Sequence, residues 1–305
     1  MFDGILIIDK PGGLTSHDVV ARLRRILKTK RIGHTGTLDP FATGVLVMLV
    51  GQATRLARFL DKDIKEYEAT VRFGFETDTG DLTGSRIRDC GLRIEQVMEI
   101  LEKTDWNDIF TDFRGQIEQT PPMYSAKKVK GKKLYELARQ GIEIERDPVK
   151  IRIDELELLD EKIPNPKSEA RIRVVCSAGT YIRVLAEDIG RKTDLGAHLT
   201  ALRRTRAGRF DLRRAVTIEE LEKAIETDDA ARMIVSMNEA VGHLVERRLS
   251  ADDLRKIGHG QSIDANFGEK DVQQVRLTDE EGSLAAIGIY DAAEKKIRPR
   301  MVFSN

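Results

Sequence analysis

RIGHTGTLDPFATGVLVMLVG, residues 31–51, sets a loop of glycine and threonine directly before six large apolar residues, Val45–Val50. That run has strand length and no polar alternation, which predicts a strand buried on both faces. It is the longest such run in the 305 residues, far short of the roughly 20 needed to cross a bilayer. Asp39 stands in the loop before it. Asp-Pro is a standard helix start, so Asp39 reads as an N-cap with Pro40 at the first helical position. It also reads as a reagent. Gly33, Gly36 and Gly44 permit close approach by a ligand, His34 and Thr37 add donors, and the strand offers a rigid mount.

Outward from this passage, GILII (4–8) predicts a buried strand and KPGG (10–13) the turn after it. Thr15 or Ser16 caps a helix to about Leu27, with Val19, Val20, Leu23, Ile26 and Leu27 on one face. QATRLARFL (52–60) reads as a short helix, EYEATVRFG (66–74) as an alternating strand and 93–104 as a long helix. Pro121 and Pro122 exclude regular structure from 116–128, and KLYELARQG (133–141) is a short helix with a glycine cap. Strands at about 149–159 and 169–176 bracket a surface turn, KIPNPKS. Residues 186–205 read as mainly helical, interrupted at Gly190 and Gly196, and TIEELEKAIETDD (217–229) as a further helix. Strand runs are not separated by regular helices, so the class is α+β with a mixed, mostly antiparallel sheet. After Asn238 a helix at 250–261, stopped by Gly258, precedes short alternating segments that suit a small β-barrel with a turn at Glu281-Gly282. The domains read as 1–240 and 245–305.

Apolar residues at 40% and charged residues at 33% give a globular composition. Cys90 and Cys176 have no metal-type spacing and read as free thiols in a reducing cytosol, with no bound metal. The first residues lack a basic n-region and an h-region, so a cytoplasmic location is expected. Net charge is zero, 51 basic residues against 51 acidic, yet KKVKGKK (127–133) holds five lysines and RRTRAGRFDLRR (203–214) six arginines. Such runs are either solvated faces or stripes that attract a polyanion.

GHTGTLDPFATGVL resembles the catalytic motif of the TruB family of tRNA pseudouridine synthases. DKPGGLTSHDVV (9–20) is similar to that family's N-terminal motif, KEYEAT (65–70) to its tyrosine motif and SAGTYIRVLAEDIG (177–190) to its arginine motif. GAHLTALRRTRAGRF (196–210) resembles the leucine-containing segment, and TPPMYSAKKVKGKKLYELARQG (120–141) the insertion by which bacterial members grip RNA. The set runs through most of residues 4–215 in the family's order. It implies a pseudouridine-synthase catalytic domain with an RNA-gripping insertion at about 120–148. The segment 245–304 loosely resembles the PUA domain of RNA-modifying enzymes.

Position by position, the resemblance makes Asp39 the catalytic nucleophile and Arg183 its ion-pair partner. Tyr67 stacks on the target base and is implicated in proton removal at C5. Leu199 lines the pocket, Tyr181 lies near the active site, and Lys10 and Pro11 buttress the loop. His34 contacts RNA and helps the uridine flip out. Lys127, Lys128, Lys130, Lys132 and Lys133 fold down on phosphates, and Arg203, Arg204 and Arg206 hold the backbone opposite. Without the resemblance, Tyr67 and Leu199 read as core, Arg183 as a surface strand residue and His34 as a hydrogen-bonded loop residue.

The implied substrate is the T-loop uridine of tRNA at position 55, taken from the T-arm by a monomer without guide RNA, obligatory protein partner or membrane. Isomerisation breaks C1′–N1 and joins C1′ to C5 with no net redox or hydrolysis, so no cofactor is implied. A carboxylate can help at C1′ or at C6, with a nearby arginine lowering its pKa. An extruded base needs flat walls. Two other classes remain: a tRNA-folding chaperone, and a base-releasing glycosylase, which would want a second carboxylate or a metal.

Overall fold

The structure is a computed structural model that describes residues 3–303 except 62, 126, 130, 161–167 and 269–271, and the backbone alone of residue 133. Lys130, and all of KIPNPKS but Ser168, therefore lie outside the described residues.

Strands β1 (Gly4–Lys10) and β3 (Thr43–Val50) run antiparallel through seven paired positions. Their alternate residues serve two cores. Leu6, Ile8, Leu46, Met48 and Val50 face one, and Ile5, Ile7, Val45, Val47 and Leu49 the other. That is why the apolar run has no polar alternation. Each such side chain contributes roughly 1.5–3 kcal/mol on burial.

Helix α1 (Ser16–Ile26) covers the first core with Val19, Val20 and Leu23, and starts at a Thr15–Asp18 capping box. The second core is closed by residues 53–60 and by Leu284, Ile287, Met301 and Phe303 from the chain's last strands.

On its other edge β3 is shared. Its second half takes β2 (Ile32–Thr35), while Thr43 and Gly44 pair parallel with a later strand, β8 (Ala197–Ala207). The loop between β2 and β3, which carries Asp39, is thus pinned at the junction of three strands. The sheet continues through β4 (Lys65–Phe73), β7 (Glu169–Cys176) and β6 (Val149–Leu158) to the edge strand β5 (Gly115–Gln119). With β9 (Phe210–Asp211) and β10 (Ile234–Val235) it has ten strands, in the order β10-β1-β3-β8-β4-β7-β6-β5, with β2 on β3 and β9 on β8. All its ladders are antiparallel except β3–β8. Helices α2 (Ile94–Lys103), α3 (Ile182–Lys192) and α4 (Ile218–Glu226) pack on the face that α1 covers.

Two segments differ from the sequence expectation. Residues 197–207 are strand, not helix: helix α3 ends at Lys192, and Gly190 lies inside it. A Cβ on Gly190 would sit 2.3 Å from the Ala197 nitrogen, so this glycine permits close helix–strand contact rather than breaking the helix. Residues 115–119 are a strand, with Pro121 and Pro122 ending it. The helix α5 (Ala251–Gly258) ends at Gly258 as expected, with Gly260 at φ +75° in the turn that closes it.

The C-terminal strands β11 (Val245–Arg248), β12 (Ile263–Asp264), β13 (Gln274–Thr278), β14 (Leu284–Asp291) and β15 (Lys296–Val302) form a sheet in the order β11-β13-β14-β15-β12. The expected barrel is half a barrel: among the described residues no ladder joins β11 to β12. No described helix is long and apolar enough to cross a membrane.

Candidate active site

Asp39 caps no helix. No helix starts at residues 39–42, and the Asp39 carbonyl instead accepts a turn bond from the Ala42 amide. Its carboxylate receives a fork from Arg183, Nε donating to Oδ2 at 2.9 Å and Nη2 to Oδ1 at 3.3 Å. Arg183 is buried in the first turn of α3, where the helix dipole disfavours a cation. Four acceptor groups compensate. Besides Asp39 they are the Thr79 carbonyl (2.7 Å), the Tyr124 carbonyl (2.6 Å) and Asp81, whose Oδ2 lies 3.9 Å from Nε. The reading of Arg183 as a surface strand residue is therefore wrong on both counts.

Sequence reasoning misses Asp81. It is held by Thr79 Oγ1, Thr83 Oγ1 and the Thr83 amide. The density of small polar residues in TDTGDLTG (77–84) is the signal that marks it.

The pair opens on a cavity of about 410 Å³, within the size range of small-molecule sites. Tyr67 from β4, Tyr181 at the start of α3, Leu202 and Arg204 from β8, and Lys65 and Lys127 share its wall with Asp39 and Arg183. Burial pushes the Asp39 carboxyl above the usual carboxylate range, and Arg183 pulls it back only in part. The lowered pKa expected from the arginine is thus reversed. A raised carboxyl takes up its proton at higher pH, so kcat/KM will fall on acidification with a limb above the roughly pH 4 of an ordinary aspartate. A limb at or below that value contradicts the burial argument.

Burial likewise holds the Tyr67 phenol protonated, opposed by the adjacent Arg204. That suits a stacking surface better than a base. Lys10 is fully buried and donates to the carbonyls of Pro11 (2.9 Å), Leu14 (2.7 Å) and Pro40 (3.2 Å), tying the Asp39 loop to β1. Burial lowers its ammonium to about 8. His34 stands on β2 outside the cavity wall, with Nδ1 buried and lacking a hydrogen-bond partner among the described residues.

Other candidates are placed elsewhere. Leu199 is fully buried in the core and does not line the cavity; Leu202 does. A β-bulge between Leu199 and Ala201 separates the two. Leu199→Ala should therefore cost about 2–5 kcal/mol of stability and spare kcat, whereas Leu202→Ala should lower kcat with the smaller loss of stability. Thermal melts beside single-turnover rates test this, and equal effects on both quantities contradict it.

Arg204 cannot hold an RNA backbone. It is buried, donating Nε to the Val45 carbonyl (2.7 Å) and Nη2 to the Gly36 carbonyl (2.8 Å). Arg203 forks onto Asp9 at 3.0 and 2.7 Å, and Arg206 bonds Glu66 at 3.1 Å. The loop glycines serve this internal packing. A Cβ on Gly44, at φ +98°, would lie 2.2 Å from the Arg204 carbonyl oxygen, and one on Gly36 3.1 Å from its Nη1. The room they leave is filled by Arg204, not by a ligand.

Lys128 and Lys132 are exposed on a small hairpin, Lys128–Val129 against Lys132–Lys133, which leads into the buried Leu134. Cys90 and Cys176 are unpaired. Among the described residues no cluster of His, Cys, Asp or Glu is arranged to hold a metal ion.

A sheet that mounts a buried arginine and its carboxylate partner on the wall of a cavity gives the arrangement of a candidate active site. The family model for the N-terminal domain of TruB family pseudouridylate synthases matches residues 24–182, and that for the tRNA pseudouridylate synthase B C-terminal domain matches residues 183–242. The chain belongs to the TruB family of pseudouridylate synthases, which are isomerases. Relatives named tRNA pseudouridine synthase B include one from Geobacillus thermodenitrificans, 40% identical over 99% of both chains. Another, from Symbiobacterium thermophilum, is 51% identical over 72% of this chain and 71% of its own. Among solved structures, that of a Cbf5-Nop10-Gar1 complex matches 99% of this chain and 85% of its own at a TM-score of 0.69 and 26% identity. An H/ACA RNP bound to a substrate RNA containing 2′-deoxyuridine shares the fold at the same TM-score and 24% identity.

Proposed function

We propose that the protein isomerises the T-loop uridine of tRNA, position 55, to pseudouridine, acting as a stand-alone enzyme with Asp39 as nucleophile. The observation that carries this reading is the Asp39–Arg183 fork on the wall of a cavity that also holds Tyr67, Tyr181 and Leu202. The uridine is extruded from the T-loop, and its base is accepted against Tyr67. Arg183 orients the carboxylate toward C1′, and Lys10 fixes the loop that carries it. His34 meets the RNA at the rim. The names of the curated relatives support tRNA as the substrate.

The lysine hairpin acts as an RNA clamp. Neutralising Lys128, Lys130, Lys132 and Lys133 should weaken tRNA binding and flatten its salt dependence, by up to roughly 0.7–0.9 in slope for each phosphate no longer neutralised. The chemical step on bound RNA should change little. An unaltered slope rules the clamp out. The C-terminal half-barrel is read as a PUA-like unit that extends the RNA surface toward the acceptor end. Substrate choice is tested with two transcripts, wild type and one whose T-loop uridine is cytidine. Pseudouridine must form in the first and nowhere in the second.

A further inference from the structure

Four cations are almost fully buried at the candidate site: Lys10, Lys65, Arg183 and Arg204. Among the described residues only Arg183 lies within ion-pair distance of a carboxylate. Lys10 and Lys65 bond backbone carbonyls alone, and Arg204 bonds Tyr67 as well as backbone carbonyls. Lys65 Nζ donates to those of Asp61 (3.3 Å) and Asp63 (2.7 Å), and Arg204 to those of Val45 and Gly36. Burying a charge out of ion-pair reach of a carboxylate is costly, and burial accordingly depresses the Lys65 ammonium, with Asp63 and Asp61 offsetting it only in part. Holding the Asp61 and Asp63 carbonyls needs a donor, not a buried charge.

Lys65 lines the cavity and sits two residues before Tyr67 on β4, hence on the same face of that strand. A Cβ on Gly36 would lie 3.1 Å from Arg204 Nη1 and 3.5 Å from Lys65 Cε, so the two cations abut beneath the loop that carries Asp39. The cavity wall thus sets Lys65, Lys127, Arg183 and Arg204 against the carboxylates of Asp39 and Asp61, an excess of positive charge, although uridine itself is neutral.

We propose that Lys65, backed by Arg204, stabilises the uracil as an anion while it is detached from its ribose. The proposal rests on the isomerase reading above. In that reaction the C1′–N1 bond breaks with its electron pair on N1, delocalised to O2 and O4, and an Asp39 oxygen bonds C1′. The negative charge thereby passes from Asp39, beside Arg183, to the base. After rotation C5 bonds C1′, the Asp39 oxygen leaves with its electron pair, C5 gives up its proton and N1 gains one. Between these events the cavity must hold a uracil anion, and fixed charges that need no reorganisation are the effective way to do so.

The test compares the full-length protein's affinity for two free bases at neutral pH: uracil, which is neutral, and 5-nitrouracil, which is ionised. Wild type should bind the ionised base about tenfold more tightly, the ratio for a charge-assisted contact replacing a neutral one. Lys65→Met should bring the ratio toward one, and Lys65→Arg should keep it. Equal or undetectable binding of both bases by wild type overturns the proposal without reference to any variant. A ratio unchanged in Lys65→Met overturns it as well. Tritium release from tRNA by wild type, measured in parallel, reports separately on the isomerase reading, so the two failures are distinguishable.

Discussion

Asp39→Asn will lower the single-turnover rate on tRNA by about 10⁴-fold or more, the scale on which removing a nucleophile acts. It will leave tRNA affinity within a few fold and the fold intact. The asymmetry follows from the site. Asparagine is isosteric and its carbonyl can still accept from Arg183, whose Nη1 and Nη2 keep the Thr79 and Tyr124 carbonyls. Burial works against the Asp39 carboxylate, so losing the charge removes a strain on the fold rather than a support. Loss of binding and melting stability together with activity would instead make Asp39 a structural residue.

Arg183→Met will have the opposite profile, losing both stability and activity. The side chain is buried and answers Asp39, Asp81 and two backbone carbonyls at once. Removing it strands two carboxylates beside each other in a low-dielectric site. Breaking a buried pair in this way costs about 3–5 kcal/mol. Thermal unfolding should record a shift of several degrees, and turnover should fall by at least about a hundredfold as Asp39 loses its orientation. Arg183→Lys should recover part of the stability, because an ammonium supplies the charge but cannot fork onto Asp39 while reaching both carbonyls. If Arg183→Met melts like wild type, the buried network carries no weight in the fold.

These effects can be argued from sequence only in part. The apolar run at 45–50, the capping box before α1 and the alternation in β4 each follow from local patterning, and those elements stand where the patterning puts them. Asp39, Tyr67, Tyr181 and Arg183 are legible through the motif resemblance, and the sheet brings them round one cavity. Strand β8 is not legible. Its bulge inserts a residue, so Leu199 and Leu202 both point inward at a spacing of three, and with Leu195 they imitate a helical face. The same bulge hides which leucine lines the cavity. Arg204 is misjudged because an arginine-rich run reads as surface. Nothing local reveals that Gly44 admits its backbone at close range and that Gly36 leaves room for its guanidinium. Asp81 depends on a contact across the fold, with α3, that no spacing encodes.

The most direct measurement is made on wild-type protein with a tRNA transcript labelled with tritium at C5 of its uridines. Released tritium and free uracil are counted in the same aliquots. Joining C1′ to C5 must expel one C5 hydrogen for each uridine converted, whereas glycosidic cleavage releases the base with its tritium in place. Release should level off at one equivalent per tRNA, with no free uracil. Tritium-bearing uracil in solution, or tRNA that is bound and yet releases nothing, would contradict it.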